Sequence, residues 1–434
     1  MKFSDIILYP EFKQSWKEVK QEKGKYLFLF FQIIIFSDML VVGRTDGLLM
    51  ANLCLSFFMT AKYNTIQTEK IFLVVVGYLL ICIMPIIWFG LNGLERSYIG
   101  YALRLLTACF IANYFRNDFA RLFENLVFLL AYISIPLFII QVVNPHFFDV
   151  FTPLSRVIML DRQWYISRDI PTITMHQYLF VYVMNGWAVY RNSGFMWEPA
   201  AYGAMLTWAL LFNLYINRFA TNKKMYVFLV AIFTTFSLGT YSYMMIIATL
   251  YILQNFNLKK TFPIIFALLI GFILLTQMDM FSEQYGMMTQ KTEYYSDVDM
   301  ALEGVEKGSN RTNRVASAYA NLYKLKDSPF GFGMNSDDYV YSANGLVNFL
   351  MKWGVFGAVI LVLSFKLFAN YLRKRYFDKV NAIVIWLTVI AFIMPMFGNP
   401  FFNQVFFLAF LLIPYFFRKL NPQFIKQQNL YVKN

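Results

Sequence analysis

The sequence predicts an all-α polytopic membrane protein, with about twelve transmembrane helices and two long outer-face loops. The first observation is composition: 59% of the 434 residues are hydrophobic and only 15% are charged, whereas soluble domains carry about 25% charged residues. The second is the recurrence of apolar runs of span length. The third is the alternation of basic and non-basic connections between those runs. Together they exclude a disulfide-rich secreted module, a disordered chain and an ordinary cytoplasmic enzyme.

Each predicted span is a run of roughly 20 mostly apolar residues, the length that crosses a bilayer as a helix. The run 47–61 and the pair covering 224–254 are short, and could be tilted or partly re-entrant. The predicted spans are 26–43, 47–61, 71–90, 98–115, 122–143, 198–217, 224–238, 240–254, 261–277, 344–368, 381–398 and 402–418.

Positive charge along the chain predicts the orientation of these spans. Lysine and arginine concentrate in the tail 1–25 and then in every second connection, so the positive-inside rule places both termini in the cytoplasm. The tail could be a basic helix on the anionic inner leaflet or a solvated segment, and residues 26–434 form a single transmembrane domain. The net charge of +13 is therefore a sign of topology, and no nucleic-acid partner is predicted.

Two connections, 144–197 and 278–343, are long and fall on the outer face. Structureless loops longer than about 12–15 residues are uncommon unless they are functional. The later loop is predicted to contain a helix over 312–326, followed by a turn-rich piece. In the earlier loop, 177–190 is apolar but is interrupted by Asn-Gly. A span there would invert every later connection against the charge rule, so the segment is predicted to be outer-face structure.

No cofactor and no metal are predicted. Cys54, Cys82 and Cys109 fall inside apolar runs at irregular spacing and are predicted to be buried apolar residues. With two histidines in the chain and no thiol pair, a zinc site is not supported. Asp297 and Asp299 form the D-x-D pattern that can hold a metal and a nucleotide sugar, but nucleotide sugars are absent outside the cell.

Ionisable residues inside spans are costly and are usually functional or paired. Asp38, Arg104 and Lys352 are each predicted within about two turns of the outer end of a span. Their shared depth suggests a cavity at the level of a lipid headgroup, and the alternative is a structural ion pair such as Asp38 with Arg104. Lys366 lies near an inner end, where its ammonium can snorkel to water.

The basic residues of the outer face are mostly arginines, whose planar fork suits phosphate or carboxylate. Arg191 and Glu198 stand just before a predicted span, where they could bind phosphate and act as a general base. The alternative is a capped helix beginning at Glu198-Pro199. Arg311 and Arg314 share one face if helical, which suits a diphosphate, although such spacing is common in solvated loops.

Three segments together resemble the bacterial O-antigen polymerase and ligase superfamily. Residues 191–199 read Arg-Asn-Ser-Gly-Phe-Met-Trp-Glu-Pro and lead into a span, similar to the family's R-x-x-G-x-x-x-E/N-P. The second outer loop has the two arginines followed by Pro-Phe-Gly-Phe-Gly at 329–333, and residues 342–357 form the third segment. The end of the chain from 397 to 400, Phe-Gly-Asn-Pro, is also typical of the family.

The resemblance implies a membrane-embedded glycosyltransferase with a GT-C-like fold in the bacterial inner membrane. Such enzymes take an undecaprenyl-diphosphate-linked oligosaccharide at the outer leaflet and transfer its glycan without a metal or nucleotide sugar. Ligases of the superfamily commonly have His-Asn at the start of the third segment, where this chain has Ala343-Asn344. A polysaccharide polymerase, making O-antigen, capsule or exopolysaccharide, is therefore favoured over an O-antigen ligase.

The resemblance also implies roles for named residues. Glu198 is the first choice for the base, with Asp337 or Asp338 in reserve, and Asn344 belongs to the sugar or acceptor site. The residues assigned to the diphosphate are Arg191, Arg311, Arg314, Arg104 and Lys352. Besides its substrate and membrane lipid, a chain-length regulator protein would be a partner of a polymerase. A flippase for lipid-linked oligosaccharides is the non-enzyme alternative, although internal repeats, its expected mark, are not evident.

Overall fold

The computed structural model of the chain describes residues 9–35, 46–91, 94–151, 177–178, 180–184, 190–255, 318, 321–334, 344–398, 401 and 404–417. The predicted span 261–277, Asp38, Asp297 and Asp299 lie outside these residues. About 82% of what is described is helical, and the sheet within it is a single two-stranded hairpin. The described fold is therefore all-α, as the sequence predicts.

The first half of the bundle is built from six helices and a hairpin. The helices are α1 (Tyr9–Gln21), α2 (Lys23–Phe30, continued by a π-helical turn, Phe31–Ile35), α3 (Asp46–Tyr63), α4 (Thr68–Phe89), α5 (Glu95–Phe115) and α6 (Phe119–Val143). The hairpin strands are β1 (Gln177–Tyr178) and β2 (Val183–Met184), which pair antiparallel. The later helices are α7 (Pro199–Ile216), α8 (Lys223–Thr234), α9 (Leu238–Gln254), α10 (Gly345–Tyr376), α11 (Ala382–Ile393), α12 (Pro395–Gly398) and α13 (Val405–Phe416).

Four of the described helical segments are long and apolar enough to cross a membrane: Thr68–Phe89, Glu95–Val143, Pro199–Ile216 and Gly345–Tyr376. The 49-residue segment consists of α5 and α6, joined by a 3₁₀ turn at which Arg116 takes a φ of 37°. Shorter apolar helices occur at Leu238–Gln254, Ala382–Gly398 and Val405–Phe416. This pattern is that of a membrane-embedded helical protein.

The helices follow the predicted spans closely at α3, α4, α5, α6, α7 and α9 and over the pair α11 and α12, and differ from them at α8, α10 and α13. The predicted span 224–238 is wrong at its end, because α8 stops at Thr234 and the chain turns before α9. The predicted span 344–368 is too short, since α10 continues to Tyr376 and takes basic residues into its last turn. The predicted span 402–418 is a 12-residue helix, about 18 Å long at roughly 1.5 Å per residue.

Helix α7 is the centre of the bundle. Of its apolar window 89% is buried, against 22% for α4, whose Phe72 and Ile87 are largely exposed. Around α7, aromatic side chains pack edge to face, as with Phe212 and Phe410, whose ring centroids lie 6.1 Å apart at 90°. Helices in a membrane gain no stability by escaping water, so close packing of this kind holds them together.

The segments that carry the predicted cytoplasmic charge lie together. Lys25 binds Asp118 at 2.7 Å, Lys224 binds Glu124 at 3.1 Å, and the Lys70 ammonium donates to the Tyr415 carbonyl at 2.7 Å. These bonds link the N-terminal helices, the connections near 70, 118 and 224, and the end of α13. The described part of the chain therefore brings these basic connections close together, and the side of the membrane that they face stays a prediction.

Helix α1 packs on α6, which favours the helical alternative for the tail over the solvated one at residues 9–21. The Phe12 and Tyr132 rings lie 4.8 Å apart, and Asn125 Nδ2 donates to the Ser15 carbonyl at 3.2 Å. Arg121 also pairs with both Glu18 and Glu22. The tail is an integral part of the bundle rather than an appendage.

Three smaller predictions are also decided. Cys82 and Cys109 are buried as expected, but Cys54 is exposed on α3, so its predicted burial is wrong. The Lys366 ammonium lies over the Trp386 ring, 4.7 Å from its centroid, where the indole face attracts it. The described residues of 177–190 form the hairpin rather than a span, as expected.

Candidate functional site

Arg191 lies where the chain between α8 and α9 comes close to the start of α7. Its Nε donates to the Thr235 carbonyl at 3.2 Å. Burial lowers the pKa of Arg191, while the nearby Glu198 carboxylate and Tyr241 phenol act to raise it. An arginine pKa is so high that the side chain stays cationic. The structure therefore places the two leading candidates of the first segment, Arg191 and Glu198, within electrostatic range of each other.

Glu198 is the N-cap residue of α7, in extended conformation, and Pro199 follows in the first turn. Its side chain makes no capping hydrogen bond to the helix. The alternative in which Glu198 serves only as a helix cap is therefore not supported. The positive end of the α7 dipole still favours an ionised carboxylate at this position.

The backbone between these two residues is fixed by bonds to α8 and by one obligatory glycine. Asn192 N donates to the Thr234 carbonyl at 2.8 Å, and its side-chain amide donates to Thr234 Oγ1 at 2.9 Å. Gly194 has a φ of 51°, and a Cβ there would meet the Tyr202 ring at 2.6 Å. The glycine of the segment thus has a structural reason, since only glycine fits both this φ and this contact.

A buried polar network holds the backbone of Arg191 in place. Tyr182 OH donates to Gln141 Oε1 at 2.7 Å, and Gln141 Nε2 donates to the Arg191 carbonyl at 3.4 Å. Ser134 Oγ lies 2.7 Å from Tyr202 OH. These residues are not among the candidates predicted from the sequence. Their signal was present, because Ser134 and Gln141 are polar, lie within one span and fall seven residues apart, on the same face of a helix.

The second group of candidates sits where α10 breaks. Gly354 has a φ of 54° and a ψ of −146°, which is not helical, although helix continues on both sides. The break releases two carbonyls that the Pro-Phe-Gly-Phe-Gly loop uses: Phe332 N donates to Met351 O at 2.7 Å, and Gly333 N to Lys352 O at 3.0 Å. In return, Val355 N donates to Pro329 O at 2.9 Å. Non-helical backbone at membrane depth needs partners of this kind.

Two glycines allow the loop and the broken helix to approach this closely. Gly331 has a φ of 86°, and a Cβ on it would lie 2.5 Å from Lys352 O and 2.7 Å from Gly354 N. Gly354 faces it, and a Cβ there would lie 2.6 Å from Gly331 N. We call this contact, made by residues 329–333 and 351–355, the glycine clamp. It joins the second and third of the segments that carry the family resemblance.

Arg104 and Lys352 lie close enough for their positive charges to act on each other. Aromatic residues are near them in sequence: Tyr101 precedes Arg104 by three residues, Trp353 follows Lys352, and the two ring centroids are 5.0 Å apart. Arg104 lies nine residues inside α5, which begins at Glu95, or about 14 Å along the helix at roughly 1.5 Å per residue. That is deeper than the predicted two turns, because α5 starts before the predicted span.

Asn344 proves to be the N-cap of α10, and its Oδ1 accepts from Val347 N at 3.1 Å. The structure thus gives it a capping role, and contact with a sugar or acceptor stays a prediction. Arg311, Arg314, Asp337 and Asp338 lie outside the described residues, as does Asp38, the suggested partner of Arg104. The described site therefore consists of a carboxylate with an arginine at α7, and a pair of cations at the glycine clamp.

A comparison of the chain with protein-family models, curated proteins and solved structures finds no match. Its function has to be argued from the site itself. What the site offers is a carboxylate near a half-buried arginine, and a second pair of cationic groups. Arginine and lysine side chains of this kind suit an anionic ligand such as a phosphate or carboxylate.

Proposed function

We propose that the protein is a polysaccharide polymerase. It transfers a growing glycan from undecaprenyl diphosphate to a hydroxyl of a lipid-linked repeat unit at the outer leaflet. The observation that carries the proposal is the placement of Arg191, held by the Thr235 carbonyl, within electrostatic range of Glu198 at the start of α7. A base beside a phosphate ligand is what this reaction needs, and no metal or nucleotide sugar enters it.

The reaction forms one bond and breaks one. The acceptor oxygen bonds to the anomeric carbon of the donor glycan, and the bond from that carbon to the diphosphate oxygen breaks. Glu198 takes the proton that the acceptor hydroxyl loses. The departing diphosphate carries the developing negative charge, which Arg191 stabilises in a site shielded from water. Proton loss from Glu198 to solvent then restores the carboxylate.

The cations at the glycine clamp support the same substrate. Two lipid-linked substrates meet in the reaction. Arg104 and Lys352 would hold the diphosphate of one substrate, while Arg191 binds the departing diphosphate of the other. Arg311 and Arg314, with Asp337 or Asp338 as reserve base, complete the proposed site. Tyr101 and Trp353 give the cations an apolar flank, which strengthens charge interactions by excluding water.

We further propose a GT-C-like arrangement of about twelve spans in the inner membrane. Both termini would be cytoplasmic and the site would face the periplasm or outside. The grouping of Lys25, Lys70 and Lys224 with their partners supports this orientation. A chain-length regulator protein would be the partner that sets product length.

The test uses purified protein and an undecaprenyl-diphosphate-linked repeat unit, with polymer length read on a gel. Glu198→Gln should reduce the rate about 10²–10⁴-fold, the usual worth of a general base. Arg191→Lys should reduce it about 10²–10³-fold, because one ammonium replaces a planar fork. Glu69→Gln, a carboxylate in the first turn of α4, and Arg373→Lys, in the last turn of α10, are matched controls.

Polymer of normal length and rate from both Glu198→Gln and Arg191→Lys would refute the assigned roles. Transfer of a single glycan to a non-repeat acceptor would favour the ligase alternative. Movement of intact donor lipid across vesicles, without lengthening, would favour the flippase.

A further inference from the structure

An apolar groove runs along the outside of the bundle between α4, α5, α10 and α13. It encloses about 370 Å³. Leu73, Leu363 and Leu367 line it, yet these side chains are 57%, 52% and 53% exposed. The groove is therefore open along its side, toward the lipid that surrounds such a bundle, and a ligand could enter laterally from the bilayer.

The groove is long and narrow. Its lining on α10 begins at Phe349 and continues to Leu367, and the part from Trp353 to Leu367 alone covers about 21 Å at roughly 1.5 Å per residue. That is about two-thirds of the hydrocarbon thickness of a bilayer, roughly 30 Å. Its lining is almost wholly apolar, with Ser364 and the tyrosines as the polar exceptions. A shape of this kind fits an extended hydrocarbon chain rather than a compact molecule.

One end of the groove meets the cationic pair. Tyr101 and Trp353 line that end, and Arg104 and Lys352 are close to them in sequence and within electrostatic reach of each other. The far end reaches Tyr415 on α13, beside the carbonyl that accepts from Lys70 on the basic face. The groove thus runs from the proposed outer charge site toward the predicted cytoplasmic face. A hydrocarbon chain with a phosphate at one end suits both its apolar lining and the charge at its outer end.

We infer that this groove seats the polyprenyl chain of a phosphorylated lipid, with the phosphate toward Arg104 and Lys352. The inference rests on the proposed function for the identity of the chain as polyprenyl. It adds where the carrier lipid lies and which helices it touches. It also gives the glycine clamp a role in lipid binding, because the clamp fixes the backbone of Lys352 at the outer end of the groove.

Gly77 offers a direct test, because it lines the groove and a Cβ on it would meet nothing within 4 Å. Gly77→Trp should fill the groove without disturbing the helix packing. Gly47→Trp is the matched control: a Cβ there also meets nothing within 4 Å, and Gly47 is not among the groove residues. The probe is undecaprenyl phosphate bound to full-length protein in nanodiscs, measured by native mass spectrometry.

We expect Gly77→Trp to weaken binding at least about tenfold, the effect of losing a few buried methylene contacts, and Gly47→Trp to bind as wild type does. Arg104→Gln and Lys352→Gln should weaken undecaprenyl phosphate but leave binding of undecaprenol, which lacks the phosphate, unchanged. Inorganic diphosphate should compete poorly, and phosphatidylglycerol should compete less well than the polyprenyl lipid.

Wild-type binding by Gly77→Trp would overturn the inference. So would equal competition by phosphatidylglycerol, or displacement of the lipid by inorganic diphosphate alone. Binding requires no acceptor and no glycan transfer, so the two proposals can fail separately. Binding that depends on Gly77, without any polymer, would support the lipid groove and refute the polymerase. Polymer formation with unaltered binding in Gly77→Trp would support the polymerase and refute the lipid groove.

Discussion

Replacing Gly354 with alanine tests the glycine clamp most sharply. The substitution adds one methyl group at a residue whose φ is 54° and ψ is −146°. The new Cβ would lie 2.6 Å from the amide nitrogen of Gly331, a backbone atom that cannot rotate away. Relief would require the loop to withdraw from α10, and so would break the bonds from Phe332 and Gly333 to the released carbonyls.

The cost has two parts. Holding a non-glycine residue in this region of φ and ψ costs about 1–3 kcal/mol, and forcing an extra methyl group into packed backbone costs about 1–3 kcal/mol more. If the loop moves instead, each of the backbone hydrogen bonds lost costs about 1 kcal/mol. By either route, Gly354→Ala should lower the free energy of unfolding by about 2–6 kcal/mol.

The assay is unfolding of the purified protein by detergent titration, followed by circular dichroism. Gly77→Ala is the control, since Gly77 lies inside α4 with nothing within 4 Å of a new Cβ. Alanine there should leave stability unchanged or raise it by up to about 1 kcal/mol through helix propensity. If Gly354→Ala is as stable as Gly77→Ala, the clamp does not constrain the chain as described.

Two further predictions concern the supports of the fold. Asn192→Ala removes buried hydrogen bonds to Ser134 and Thr234. It should lower the free energy of unfolding by about 2–3 kcal/mol in the same titration. A loss of stability smaller than that caused by the surface change Glu69→Gln would contradict this prediction. Burial acts to raise the pKa of Glu22, but bonds from Lys25 and Arg121 outweigh it and lower the pKa. Its stabilisation is therefore complete above the unfolded-state pKa of about 4.3 and is lost as the pH falls through the lower folded-state pKa. Glu22→Gln should flatten that acid dependence, and an unchanged pH profile would rule out the contribution.

Hydropathy and charge predicted those helices that are each long enough to cross a bilayer. Helices α5 to α7 were predictable because long apolar runs end at charged or turn residues such as Arg116 and Asn217. The ends of α8 and α10 were not, since tertiary contacts decide them. Helix α8 ends at Thr234, whose carbonyl accepts from Asn192 N, and in the last turn of α10 Arg375 pairs with Asp118 at 3.8 Å.

The site was predictable as residue types and less so as geometry. The proximity of Arg191 and Glu198 could be expected, since they are seven residues apart and both precede the same helix. The clamp could not, because Gly331 and Gly354 are distant in sequence and their meeting depends on a broken helix. The exposure of Cys54 was equally invisible, since an apolar run does not reveal which of its faces meets lipid.

The most direct test of the central claim is chain growth by the wild-type protein. Purified protein in liposomes would be given a labelled undecaprenyl-diphosphate-linked repeat unit and nothing else that transfers sugar. The proposed function predicts a ladder of products that differ by one repeat unit, with undecaprenyl diphosphate released in step. Recovery of the labelled lipid unlengthened, in protein that still binds it, would contradict the proposal.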